Sequence, residues 1–282
     1  MLRSLFAGIS GLRTNQTMLD VTGNNIANAN TTGFKASTTV FSDTLSQMLT
    51  ASSGQNAGRG GTNPIQVGLG VQLAATSTNF NQGAPQTTGR MTDLMITGDG
   101  FFVVRDGGQS FFTRAGAFSF DESGRLCAPN GMRVQGFRLD AAGDPVGGPV
   151  DVSLDTAGLR LPPGVELTSY SIGADGKLRG VFSDDVQRDI VQLAIADFAN
   201  PMGLEKTGDT MYRESANSGA ADLGVAGQGE RGQVMAGALE MSNVDLSAEF
   251  TNLILAQRGF QASARVITTS DQVLDELVNI KR

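Results

Sequence analysis

The sequence predicts an α+β chain. N- and C-terminal helices pair as a coiled-coil-like domain, Gly-rich extended connectors lead away from it, and a mainly-β domain fills the centre. Three observations carry this expectation. Apolar residues recur seven apart at both ends of the 282-residue chain. Short β-rich runs in the middle are punctuated by Asp-Gly and Gly-Gly turns. Two stretches rich in Gly, Ser, Asn and Ala lie between ends and middle. The implied boundaries are 1–45 with 236–282 for the helical domain, 46–75 with 208–235 for the connectors, and 76–207 for the β-rich outer domain.

At the N-terminus Leu5, Leu12, Leu19 and Ile26 fall seven apart, with Leu2 and Ile9 in the alternate seam position. A helix from Leu2 to about Asn28 would reach roughly 40 Å. Four residues (Ser4, Gly8, Ser10, Gly11) interrupt its apolar patch, which favours an uncleaved amphipathic helix over a signal peptide. Its end runs into "NNIANANTTGFK", residues 24–35, with Gly33 placed to terminate it in the left-handed region. Amides are poor helix formers, so one reading of Asn24, Asn25 and Asn28 is that they donate and accept between copies of the chain and penalise wrong registers. Simple fraying and capping is the other reading.

Next come "ASSGQNAGRGGTNPIQVGLG" and, symmetrically, "SANSGAADLGVAGQGERGQ", read as extended connectors. Gly54, Gly58, Gly60 and Gly61 are the hinge candidates, so shortening residues 51–63 is expected to stiffen the assembly. Between the connectors, "LMITGDGFFVVRDGGQSFFTRAGAFSFDESGRL" reads as successive hairpins and "RDIVQLAIADFAN" as one long strand. At the C-terminus Leu246, Leu253, Phe260, Ile267 and Leu274 repeat the seven-residue spacing, with Phe250, Ala264 and Val278 as partner seam and Asn243 or Asp245 as N-cap. A second stripe runs through Val266, Val273 and Ile280. Two stripes on one helix need more neighbours than a single partner supplies. Identical chains in head-to-tail contact would supply them and, if the rotation does not close, would build a helical filament.

Composition closes most chemistry. The chain has no His, no Trp and a single cysteine, Cys127, so Ser-His-Asp triads, His-ligated zinc and Cys-pair sites are excluded. A net charge of −7 argues against nucleic acid. Asp184 and Asp185 read as solvated loop carboxylates, and no run approaches the roughly 18 apolar residues of a membrane span. No enzyme and no cofactor are expected.

The opening "MLRSLFAGISGLRTNQTMLDVTGNNIANANTTGFK" and the ending "GALEMSNVDLSAEFTNLILAQRGFQASARVITTSDQVLDELVNIKR" together resemble the paired terminal signatures of bacterial flagellar rod and hook proteins. Between them "GRMTDLMITGDGFFVV", "FTRAGAFSFDESGRL" and "LAIADFANPMGLEKTGDTMYRES" are similar, in order, to landmarks of that family's β domain. The resemblance implies a subunit exported through the flagellar type III apparatus and located in the extracellular flagellum, its end helices lining a tube around the export channel. It further implies a bendable hook subunit of the compact Gram-positive type that passes torque to the filament, with the straight distal rod as the alternative. The partners it implies are further copies of itself, the distal rod protein, the hook cap and the hook-filament junction proteins. On this reading the contacts between copies fall on Leu5, Ile9, Leu12, Leu19, Asn24, Asn25, Ile26, Asn28 and Phe34, and on Leu246, Phe250, Leu253, Phe260, Ile267 and Leu274.

Overall fold

The computed structural model describes residues 2–55, 60–140, 143–154, 167–184 and 186–280; Gly58 and Asp185 lie outside them. The chain is α+β and folds as two compact units. One comprises Met1–Asn28, Ala36–Asn79 and Val244–Arg282; the other comprises Ala29–Lys35 and Phe80–Asn243.

The first unit holds two helices, α1 (Leu2–Ala27) and α2 (Leu246–Ile280), and a two-stranded ribbon. The start of α2 follows from its cap: the Asp245 carboxylate accepts from the backbone N–H of Ser247 at 2.9 Å and of Ala248 at 3.3 Å, leaving fewer unpaired donors in the first turn. Of the two cap candidates, Asp245 does the work. The ribbon pairs Ser37–Asp43 with Val71–Thr78, then Ser46–Thr50 with Ile65–Gly68, all antiparallel.

The second unit is built on a twelve-stranded sheet. The long strand Gln187–Asp197 pairs along its first half with Lys177–Phe182 and Arg133–Leu139, and along its second with Asp222–Val225 and Phe101–Asp106. The uninterrupted apolar run at Phe101 reads as a strand covered on both faces. Phe102 and Val104 enter one buried cluster with Leu94, Ile96 and Leu193. Phe101 and Val103 enter another with Phe112, Phe198 and Tyr212, whose rings meet edge to face.

The segments expected to be connectors hold strands. Ser46–Thr50 and Ile65–Gly68 form the outer part of the ribbon, and Met211–Arg213, Asp222–Val225 and Gln233–Ala236 join sheets of the second unit. A Gly- and Ser-rich composition hid them because each strand is only three to five residues long, and Met211–Arg213 and Gln233–Ala236 take a partner far back along the chain. Gly33 does take a left-handed φ of +70°, but six positions beyond the end of α1. Its role is not to cap. A Cβ there would lie 2.5 Å from the Ala115 nitrogen, and its N–H donates to the Glu240 carbonyl at 2.7 Å.

Candidate assembly interface

In the first unit α1 and α2 run antiparallel: Ser4 meets Ser270 through their hydroxyls at one end, and Asn25 meets Glu249 at the other. Between these ends several facing positions are glycine. A Cβ on Gly8 would stand 3.0 Å from the Ile267 side chain, one on Gly11 3.0 Å from the Ser263 hydroxyl, and one on Gly259 2.5 Å from the Asn15 amide. The helices are therefore close because these positions carry no side chain. Along α2 the seam that faces α1 passes through Glu249, Ala256, Gly259, Ser263 and Ser270 beside the half-buried Leu253, Phe260, Ile267 and Leu274.

The expected partner seam is displaced. Phe250 is 52% exposed and Val278 65% exposed, while Ala264 is half-buried. Both spacings, i+3 and i+4, continue a heptad, and only the i+3 line here has side chains short enough for the close approach. On α1, Leu5, Leu12, Leu19 and Ile26 are half-buried and Ile9 is exposed. The small-residue seam had a visible signal, Ser4, Gly8, Gly11 and Asn15 at 4-3-4 spacing, which the leucine repeat overshadowed.

What remains outside is apolar. Leu246, Phe250, Ile254, Leu255, Val266 and Val273 are among the exposed large side chains of α2, as is Ile280 at its end. The stripe through Val266, Val273 and Ile280 thus lies in the open in a single chain. The ribbon matches it: every residue of Ser46–Thr50 and Ile65–Gly68 is exposed, Leu45, Met48 and Leu49 among the apolar ones around them. Beyond these strands Ser53 and Thr62 exchange backbone hydrogen bonds at 3.1 Å each, with Gly61 packed on the Ser53 carbonyl and open space around Gly54 and Gly60. The hinge candidates other than Gly58 therefore flank a laddered ribbon end.

The asparagines divide. Asn25 is 1% exposed, and its amide donates to the Ser37 carbonyl at 2.8 Å and to Glu249 at 3.1 Å while accepting from the Ser37 N–H at 3.1 Å. It ties α1, α2 and the ribbon of one chain together. Asn24 is exposed, and its side chain and carbonyl accept from the Asn28 amide.

The rest of the amide-rich motif, residues 29–35, belongs to the second unit and ends in a buried charge cluster. Lys35 and Glu240 are each 0% exposed and Arg114 is 2% exposed. The Lys35 ammonium donates to Glu240 at 2.5 Å and to the Asn81 carbonyl at 2.8 Å. Arg114 stands 3.6 Å from the other Glu240 oxygen and donates to the Gly98 carbonyl at 2.9 Å. Burial pulls both cations below their ordinary pKa values, with the Glu240 charge opposing. Phe34 is half-buried beneath the Lys206 ammonium at 5.2 Å, in the same unit and apart from the helical residues it was grouped with. Nothing local pointed to Glu240 as the partner of Lys35, because 205 residues separate them.

Three family models match the chain: flagella basal body rod protein over residues 5–35, the flagellar hook protein FlgE/F/G D1 domain over 95–180, and the flagellar basal body rod FlgEFG protein C-terminal over 235–280. The flagellar basal-body rod protein FlgG of Bacillus subtilis (strain 168) is 45% identical over 283 residues, covering the whole of both chains. The flagellar hook protein FlgE of Treponema pallidum (strain Nichols) is 31% identical over 463 residues, again covering both. The FlgG of Borreliella burgdorferi is 31% identical over 286 residues, all of each chain.

Proposed function

The chain belongs to the family of flagellar basal-body rod and hook proteins, and from that membership we propose that it is a subunit of the distal rod. It polymerises with its own copies into a straight tube that carries torque outward and surrounds the export channel. The observation that carries the rod over the expected hook is the alignment length. The rod relative matches over 283 positions at 45% identity, almost without gaps against a 282-residue chain. The hook relative needs 463 positions, so its alignment runs through a long stretch that this chain does not fill.

The exposed α2 stripe and the exposed ribbon support polymerisation, since contiguous apolar surface of this kind marks contact with another molecule. The ribbon adds open strand edges, which favour pairing or packing against a neighbour. On this reading the subunit reaches its place through the flagellar export apparatus, and the hook follows it outward. The role is structural.

Electron microscopy of a strain lacking the gene tests the assignment. Rods that stop short and carry no hook are the expected result. Complete rods that lack only the hook would return the chain to the hook reading.

A further inference from the structure

Ten arginines of the second unit lie among the described residues, and seven of them pair with a carboxylate of the same chain. Among the described residues the other three, Arg105, Arg125 and Arg138, have no ion pair, and all three line one cavity of about 560 Å³ with Asp151 and Ser153. A second cavity, about 420 Å³, adjoins it at Arg105 and Asp151 and adds Arg133 and Asp106. The sheet itself concentrates the charge. Arg133 stands opposite Arg105 in the register of their two strands, and like charges directly opposed are unfavourable.

Asp151 relieves only part of this. It accepts from Arg133 at 3.0 Å and from Gln135 at 2.8 Å. Burial alone would raise its pKa, but those two hydrogen bonds and the charges of Arg133 and Arg125 hold the carboxyl below its ordinary value. The groove therefore already stabilises one ionised carboxylate and has unused guanidinium forks for more. Such forks match carboxylates in bidentate geometry.

We propose that this groove receives carboxylates of a second copy of the chain, an inference that rests on the assembly reading above. Acidic residues outnumber basic ones 28 to 21, so copies carrying −7 each repel one another unless a basic surface faces the neighbour's acids. A homopolymer presents that acid at every step.

The test compares the full chain with the double variant Arg105→Gln/Arg138→Gln by sedimentation across a concentration series. Both side chains are exposed, so the variant is expected to keep the wild-type thermal transition. Its assembly threshold should rise about tenfold in roughly 0.05 M salt. That gap should narrow in roughly 0.5 M salt, where screening shortens electrostatic reach to a few ångströms. The Arg105→Lys/Arg138→Lys variant, charged but without the fork, should recover part of the loss. Equal thresholds, or a gap that ignores salt, overturn the proposal, as does a groove that binds poly-glutamate while leaving assembly unchanged. A wild-type chain that never assembles removes the assembly reading itself and takes the proposal with it. Assembly of wild type and variant alike removes the proposal alone.

Discussion

Lys35 shows what one residue contributes when its partner lies far along the chain. Two cations and one anion are buried together, and burial of charge is tolerated only where each is paired. Lys35→Met leaves Arg114 facing Glu240, a balanced pair, at a cost of about 2–3 kcal/mol. Glu240→Gln leaves two buried cations without their counter-charge and should cost about 4–5 kcal/mol. It also weakens an acceptor used by the Gly83 N–H at 2.9 Å. Urea unfolding followed by tyrosine emission reads this order directly, because both tyrosines, Tyr170 and Tyr212, lie in the β unit and there is no tryptophan. If Lys35→Met proved the more damaging, Glu240 would not be the centre of the cluster. Asn25 makes the same point in the helical unit, where one amide serves two helices and a strand at once.

At the scale of elements, α2 has two lives. The face through Ala256, Gly259 and Ser263 is used within the chain, while Phe250, Leu255 and Val273 face outward. Full burial of one such side chain contributes about 2 kcal/mol. Leu255, 65% exposed, is the cleanest probe: Leu255→Ser should raise the assembly threshold about thirty-fold, the equivalent of roughly 2 kcal/mol. It should leave tyrosine-monitored unfolding of the β unit unchanged. Sedimentation thresholds check the first and urea titration the second; an unaltered threshold would mean that this stripe stays uncovered in the polymer. The outer part of the ribbon, Ser46–Thr50 with Ile65–Gly68, is the other exposed element. From Thr44 to Gly89 the only charged residue is Arg59, so little charge opposes its close packing against a neighbour, and an isolated two-stranded ribbon is marginal in water.

For the whole molecule the division of labour yields a fragment prediction. Residues 29–243 keep the Lys35 cluster and both buried cores of the sheet and lose α1 and α2. This fragment should unfold in one cooperative transition and remain monomeric by analytical ultracentrifugation at concentrations where the full chain polymerises. Polymerisation of the fragment would move the main contact from the helices to the ribbon or the sheet. Much of the architecture was legible from sequence. Both helices follow from seven-residue repeats, the strand Gln187–Asp197 from its apolar run, and the left-handed φ of Gly33, though not its place beyond the helix end, from glycine's freedom at positive φ. These properties are local, set by nearby residues and their periodicity, and they are also what identified the family. The sequence by itself determined those elements and their order along the chain. Tertiary structure alone decided which heptad line α1 covers, that Asn25 links α1, α2 and the ribbon, that Lys35 meets Glu240, and that Arg105, Arg125 and Arg138 share one groove. Each of those depends on how closely distant backbones approach, and spacing along a chain does not encode that distance.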